Sequence, residues 1–319
     1  MQRTEWDVII VGGGSAGLSA ALMLGRSRRR VLVVDGGEPR NRFAAHMHGV
    51  LGRDHSSPLD LLAAGRAELT RYDDVVIESG TVVSAAPLDT EAIGFEVVLE
   101  SGERHTARRM LVATGLRDDL PDLPGLAEEW GRNAVSCPYC DGWEVRDRRI
   151  AMIATDASNT HQAQLLRQLS PHVTFYTQGA NLPDAARAGL EARGIAIETR
   201  AVVEVVGDDE GGLRGIRLDD GTEHEADSIF VAPRPVPNDR LLRELRARTM
   251  RQNGVDWVLV DPSGRTNVPG LWAAGNIATA ASSVPVAMAA GNVAGTGING
   301  DLVEEDIREA VAARASDDG

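Results

Sequence analysis

Only two cysteines occur in the 319 residues, and they stand three positions apart. A framework of structural disulfides is therefore excluded, and a lone CxxC leaves redox chemistry or metal binding. No stretch reaches the roughly 18 consecutive apolar residues that a membrane span requires. The first apolar run opens at Trp6, too early to follow a signal peptide, so the expected location is cytoplasmic. Positive charge is scarce as well: 33 Lys plus Arg face 47 Asp plus Glu, a formal net charge of −14. Such a surface repels phosphate backbones and anionic membranes, so neither nucleic acid nor a membrane is an expected partner. The short RSRRR run at Arg26–Arg30 falls where a helix should end, and cations there complement the helix dipole. What is present is ordinary for a globular chain, 43% hydrophobic and 25% charged, with length enough for two cored domains.

The residues then fall into a pattern that occurs twice. Trp6–Val11 (WDVIIV) reads as a strand bounded by GGGSAG, Leu18–Arg26 has helical periodicity, and Val31–Asp35 (VLVVD) reads as a second buried strand. Together they predict one βαβ unit of a parallel sheet. VVIESGTVVSA and FEVVLESGERHTARRMLVATG are expected to form antiparallel strands leading to a last strand at Met110–Ala113. The order recurs as strand Arg148–Ala154, helix His161–Leu169 and strand His172–Thr177, followed by IAIETRAVVEVV and GLRGIRLDDGTEHEADSIFVA. The expected fold is α/β, with two Rossmann-like, three-layer dinucleotide-binding modules, the second inserted into the first. The boundaries are placed at 1–118, 119–237 and 238–319, the middle piece carrying the cysteines. Pro233–Asp239 reads as the linker back, Gly270–Asn276 as a short strand and turn, and Pro285 as the start of a helix. The acidic tail after Ala313 is expected to fray.

Gly12, Gly14 and Gly17 form GxGxxG directly between a strand and a helix. The first glycine permits the tight turn, the second the approach of a pyrophosphate, and the third the close packing of helix on strand. Asp35, at the end of the next strand, is placed to accept hydrogen bonds from a ribose and to disfavour a 2′-phosphate. LVATG (Leu111–Gly115) brings a second strand end and glycine toward the same place. Far along the chain, GLWAAGN sets Gly275 and Asn276 where a ribityl chain and pyrophosphate can be held. A late strand–AGN–helix returning to the first module resembles the AGD motif of two-dinucleotide flavoproteins, with Asn276 in place of the usual Asp. The cofactor this implies is FAD.

Cys137-Pro138-Tyr139-Cys140 spaces two sulfurs to close a small disulfide ring, and local positive potential would make one thiol a nucleophile. Zinc would need two more ligands, and no second CxxC exists. His46, His48 and His55 are available, but their spacing is not that of a structural zinc site. A redox pair and no bound metal are expected.

GGGSAG, the central CPYCDG and the late AGN resemble the low-molecular-weight thioredoxin reductases, over nearly the whole chain. The resemblance implies a homodimer with FAD in a domain formed by both chain ends. It implies Cys140 as the flavin-proximal sulfur, Cys137 as the substrate-facing one and Asp141 as acid or base, with helix capping as the plainer role for Asp141. The loop holding His46 and His48 would run near the isoalloxazine, and His48 is a candidate base. The flavin contacts it implies are Gly12, Gly14, Ser15, Ala16, Gly17, Asp35, Gly36, Arg42, His48, Thr114, Gly115, Gly275, Asn276, Val284, Pro285 and Val286. The helix start at those last three would face the flavin N1/O2 edge.

The second module departs from that family. Where a glycine turn for NADPH belongs, the chain has Ala154-Thr155-Asp156-Ala157-Ser158-Asn159, with no glycine and an added carboxylate. After the next strand, Tyr176-Thr177-Gln178 offers no cation for a 2′-phosphate. Electrons are therefore expected to run from a dithiol to FAD. That resembles an offshoot of the family, the flavin-dependent dithiol oxidases of gliotoxin- and holomycin-type pathways, which Arg40–Pro58 and the CPYC–DGWEVRD segment also look like. The partners so implied are a small-molecule dithiol and O2, with H2O2 as product. The alternatives are a thioredoxin reductase fed by NADPH or ferredoxin and acting on a thioredoxin-like protein, and a flavin redox sensor that turns nothing over.

Overall fold

The computed structural model describes residues 5–90, 92–208 and 212–317. Tertiary contacts divide the chain into two compact units, one of Met1–Arg40, Leu59–Arg117 and Pro235–Gly319, the other of Asn41–Pro58 and Asp118–Arg234. The histidine-bearing stretch 41–58, placed with the first module from sequence, thus packs with the second. No helix among the described residues is long and apolar enough to cross a membrane.

The first unit opens with β1 (Trp6–Val11), α1 (Ser15–Arg26), β2 (Val31–Asp35), α2 (Pro58–Leu69) and β3 (Val75–Ser79). It continues through β4 (Val82–Pro87), β5 (Phe95–Leu99) and β6 (Arg104–Val112). The sheet order is β3-β2-β1-β6-β5-β4. VVIES was expected to be antiparallel, yet β3 pairs with β2 in parallel, Val31 opposite Val75. The reason is α2, a crossover helix that the sequence pattern did not announce, and a crossover is what a parallel neighbour requires. Only β4, β5 and β6 form the antiparallel meander.

The chain leaves this unit along β7 (Leu116–Asp119). The second unit then holds α3 (Leu126–Glu129), β8 (Ala134–Val135), α4 (Pro138–Asp141), β9 (Ile150–Ile153), α5 (Thr160–Leu169), β10 (Val173–Tyr176), α6 (Asp184–Ala192) and β11 (Ala196–Glu198). It is completed by β12 (Val202–Gly207), β13 (Leu213–Leu218), β14 (Glu223–Glu225) and β15 (Ser228–Val231). A parallel sheet of order β11-β10-β9-β15-β8 forms its centre, with β12-β13-β14 as an antiparallel flap. The apolar runs predict this well: all four residues of β9 and of β15 are buried, as strands covered on both faces should be.

The return passes along β16 (Arg234–Pro237), so the expected linker is itself a strand. The first unit is completed by α7 (Arg240–Glu244), β17 (Thr249–Gln252), β18 (Val255–Val258), β19 (Leu271–Ala273) beside β6, and α8 (Val284–Asp317). The tail after Ala313 continues α8, which runs through Asp317, as its Ala- and Arg-rich last turns favour. Residues 318–319 lie outside the described residues. Two features fix α8. A Cβ on Gly291 would stand 1.9 Å from the Ala16 carbonyl oxygen, so glycine lets α8 lie directly on α1. Arg109 on β6, fully buried, donates to Asp301 at 2.5 Å and to Glu305. A buried guanidinium needs its N–H groups paired, and loss of either carboxylate would leave a buried donor without its partner.

Candidate active site

At the start of α1, Gly14 is the N-cap residue and supplies no side-chain cap. A Cβ there would meet no atom within 4 Å. Space is thus open beside the N-cap of a twelve-residue helix, whose first N–H groups carry positive potential, the condition for holding a pyrophosphate. The flanking glycines serve the chain itself. Gly12 has φ of 106°, and a Cβ on it would lie 2.5 Å from the Ala113 oxygen.

Asp35 accepts the Gly13 N–H at 2.9 Å and pairs with Arg66 of α2. Arg66 escaped the sequence reading because its helix did. Asp35, Gly36 and Arg66 line a cleft of about 930 Å³, room for the nucleoside end of a dinucleotide. Thr114 is tied to Asn238 by two bonds of 2.9 Å, and Gly115 follows with φ of 65°. The Asn276 amide, expected to meet a ribityl hydroxyl, is engaged within the chain. It donates to the carbonyls of Thr279, Ala280 and Ser282 at 3.0–3.1 Å and so shapes the turn that presents Val284–Val286 at the head of α8. Gly275, with φ of 81°, starts that turn. The residues of this unit fit a dinucleotide. Arg42 and His48, also expected at the flavin, belong to the second unit, where Arg42 lies 4.3 Å over the Phe43 ring.

The corresponding turn of the second unit is closed by its own side chains. Asn159 Oδ1 accepts the N–H of Thr155 at 2.8 Å and of Asp156 at 3.1 Å. Asp156 Oδ1 in turn accepts the Ser158 N–H at 2.6 Å. The donors that would cradle a phosphate are thus filled by a buried amide and a carboxylate, in a reciprocal capping box. After β10, Gln178 is likewise spent on the chain, bonded in both directions to the Val202 backbone. Asn159→Ala is expected to lower stability by about 1–2 kcal/mol through loss of the cap, measured by urea unfolding, without conferring NADPH binding while Asp156 remains.

Cys137 and Cys140 are joined as a disulfide with Cα atoms 5.2 Å apart. Cys137 precedes the single turn of α4, and its carbonyl accepts the N–H groups of Cys140 and Asp141, both at 3.1 Å. Glycine is required at 142, after the turn, because a Cβ would lie 2.4 Å from the Pro138 oxygen and 2.5 Å from Leu169 Cδ1, where α4 rests on α5. Both cysteines are half-buried, whereas Tyr139 and Trp143 beside them are 80% and 64% exposed.

Beside the pair the second unit gathers further polar groups. Burial pushes the Asp141 carboxyl up to about 6; His48 opposes the rise and Glu144 adds to it. His48 Nε2 lies 3.6 Å from Glu144 Oε1, and its Nδ1 lies 3.7 Å from Asp54 Oδ1. His55 stands between the other two histidines, stacked on His46 at 4.1 Å and 5.3 Å from the His48 ring. Glu144 was not foreseen; no motif marks it, and only the folding of 41–58 onto the CPYC turn reveals it. The Cys2His2 set considered from sequence is not assembled. Among the described residues, the His, Cys, Asp and Glu donors that converge do so as His48–His55–Glu144 and as Glu78–Glu103–His105, neither with a cysteine.

Comparison with known proteins adds lineage to this geometry. The family described as pyridine nucleotide-disulphide oxidoreductase matches residues 6–291. The protein named Thioredoxin reductase tcpT of Claviceps purpurea is 33% identical over 297 residues, 91% of this chain and 92% of its own. Among solved structures, that of HlmI is 40% identical with a TM-score of 0.93, covering 98% of both chains. An oxidoreductase from Agrobacterium tumefaciens is 35% identical with a TM-score of 0.87, over 93% of this chain and 98% of that one.

Proposed function

This chain belongs to the pyridine nucleotide-disulphide oxidoreductase family, and from that premise we propose that it oxidises a small-molecule dithiol to a disulfide. It is an FAD-dependent disulfide oxidoreductase, with thioredoxin reductase-like relatives. The proposal concerns direction, substrate and acceptor: electrons enter from the dithiol of a natural product and leave to O2 as H2O2. One observation carries it, the second turn, where Asp156 and Asn159 occupy the donors that NADPH phosphates would need. A source of electrons other than a pyridine nucleotide is then required, and the disulfide with its flanking exposed rings is open to one.

A substrate thiolate attacks Cys137 Sγ, the Cys137–Cys140 bond breaks, and Cys140 leaves as the thiolate. The second substrate thiolate attacks the substrate sulfur of the mixed disulfide, closing the product and releasing Cys137. Two electrons have then passed to the cysteine pair, and the two substrate protons go to Asp141, to His48 or to solvent. The α1 turn, the Asp35 strand end and the head of α8 would hold FAD, which would supply a two-electron acceptor for the reduced cysteine pair. The enzyme works as a homodimer in this reading.

Asp141→Asn is expected to lower kcat/KM about 100-fold and to erase the acid limb of its pH profile near pH 6. The sign follows from burial: the folded carboxyl titrates above its ordinary 3.8, so it is protonated and unable to accept a proton below about 6. For the same reason Asp141 withdraws stability as pH rises from about 4 through about 6. The Asn variant should therefore melt above wild type at pH 8 while turning over more slowly.

An oxygen-electrode assay with a small dithiol tests the proposal, and one peroxide per disulfide formed supports it. The name thioredoxin reductase carried by tcpT favours a second reading, reduction of a thioredoxin-like protein. Rapid thioredoxin reduction with NADPH, and no oxygen uptake with any dithiol, would establish that reading instead.

A further inference from the structure

We propose that Glu78, Glu103 and His105, remote in sequence from the cysteine site, form a divalent transition-metal site that clips the β4–β6 meander to β3. Glu78 lies on β3, Glu103 just ahead of β6 and His105 on β6, and β3 and β6 are not neighbours in the sheet. His105 is 94% buried by its 6% exposure, and its Nε2 has no hydrogen-bond partner. That nitrogen is aimed between two carboxylates, 3.3 Å from Glu78 Oε2 and 3.6 Å from Glu103 Oε1. The proximity to Glu78 is one of distance only, since the geometry is not that of a hydrogen bond.

The spacing suits a metal. Ligand atoms about 2.0–2.2 Å from a tetrahedral zinc ion lie roughly 3.4 Å from one another, close to both separations. All three donor atoms fall within 4.8 Å of one another. The other ring nitrogen completes the arrangement. His105 Nδ1 lies 3.3 Å from Glu5 Oε2, and a ring that donates from Nδ1 to that carboxylate would have its Nε2 lone pair available to a cation. A histidine oriented by a carboxylate behind it is the usual support for a metal ligand. Two carboxylates with one imidazole favour zinc over calcium or magnesium, which take oxygen ligands. The role is structural, because the group lies at a junction of strands.

The test uses tag-free, FAD-loaded enzyme kept oxidised, so that the Cys137–Cys140 disulfide offers no thiolate. After EDTA treatment and gel filtration, zinc chloride is added, unbound metal is removed, and zinc per chain and melting temperature are measured. Wild type should retain zinc and melt several degrees higher with it. E78Q and E103Q keep the side-chain size at positions that are 29% and 57% exposed, so both should fold. Each should weaken zinc binding roughly tenfold or more and lose the melting shift. H55A, which dismantles the other converging cluster, should keep both. No zinc retained by wild type overturns the proposal, as do zinc and melting shifts unchanged in E78Q and E103Q. Loss of the shift in H55A alone would overturn it too, by assigning the metal to the His48 cluster. A buried imidazole merely ringed by ion pairs predicts no shift with zinc in any variant.

Discussion

Cys137→Ser and Cys140→Ser are each expected to reduce dithiol turnover by on the order of 1,000-fold or more, and the double variant by little beyond either single one. The two sulfurs act as a unit: one accepts the substrate thiolate, and the other must leave as a thiolate for the bond to break. A serine oxygen can do neither at useful rates near neutral pH. The fold should be indifferent. The disulfide joins residues only three positions apart, and α4 is held by its own backbone bonds and by Gly142 against Leu169. Far-UV circular dichroism and flavin content should match wild type while peroxide formation disappears. Near-normal turnover in either variant would remove the cysteines from the reaction.

Gly17→Ala is expected to abolish flavin binding, and Gly14→Ala to weaken it while leaving the fold intact. The two glycines differ in what a methyl group would meet. On Gly17 it would stand 1.9 Å from the Gly12 oxygen and 3.3 Å from Ile10 Cγ2, so α1 must swing off the strand or the turn must open. Overpacking of this kind costs about 1–3 kcal/mol or more and displaces the N–H groups at the helix start. On Gly14 it meets no protein atom within 4 Å and intrudes only on ligand space. Flavin absorbance per chain after gel filtration, read beside the melting temperature, separates the cases: Gly17→Ala loses both, Gly14→Ala chiefly the first. Full flavin in both variants would refute the assignment of this turn.

How far these features could be read from the sequence depends on whether their signal was local. The first βαβ unit was legible because WDVIIV, GGGSAG and VLVVD each carry a short-range pattern, and β1 and β2 fall at Trp6–Val11 and Val31–Asp35. The direction of Val75–Ser79 was not legible, since five apolar-rich residues are the same in either direction and only the crossover α2 orients them. In the second turn the missing glycines were plain, but the positive content was hidden. Nothing in Asp156-Ala157-Ser158-Asn159 announces that Asn159 turns back on Thr155 and Asp156 to fill the phosphate donors. Partnerships across long separations were least visible. Glu144 beside His48, and Arg66 on Asp35, depend on how distant segments fold together. Asn276 shows the reverse limit: its motif was recognised, while its amide proved to serve the adjoining turn.

The direction of electron flow is the claim on which the rest depends. It is tested by mixing the oxidised holoenzyme anaerobically with excess small dithiol and, separately, with NADPH, while the flavin spectrum is followed. The filled turn at Asp156 and Asn159 predicts that the dithiol bleaches the flavin and that NADPH leaves it oxidised over the same interval. Bleaching by NADPH, with the dithiol inert, would contradict the account.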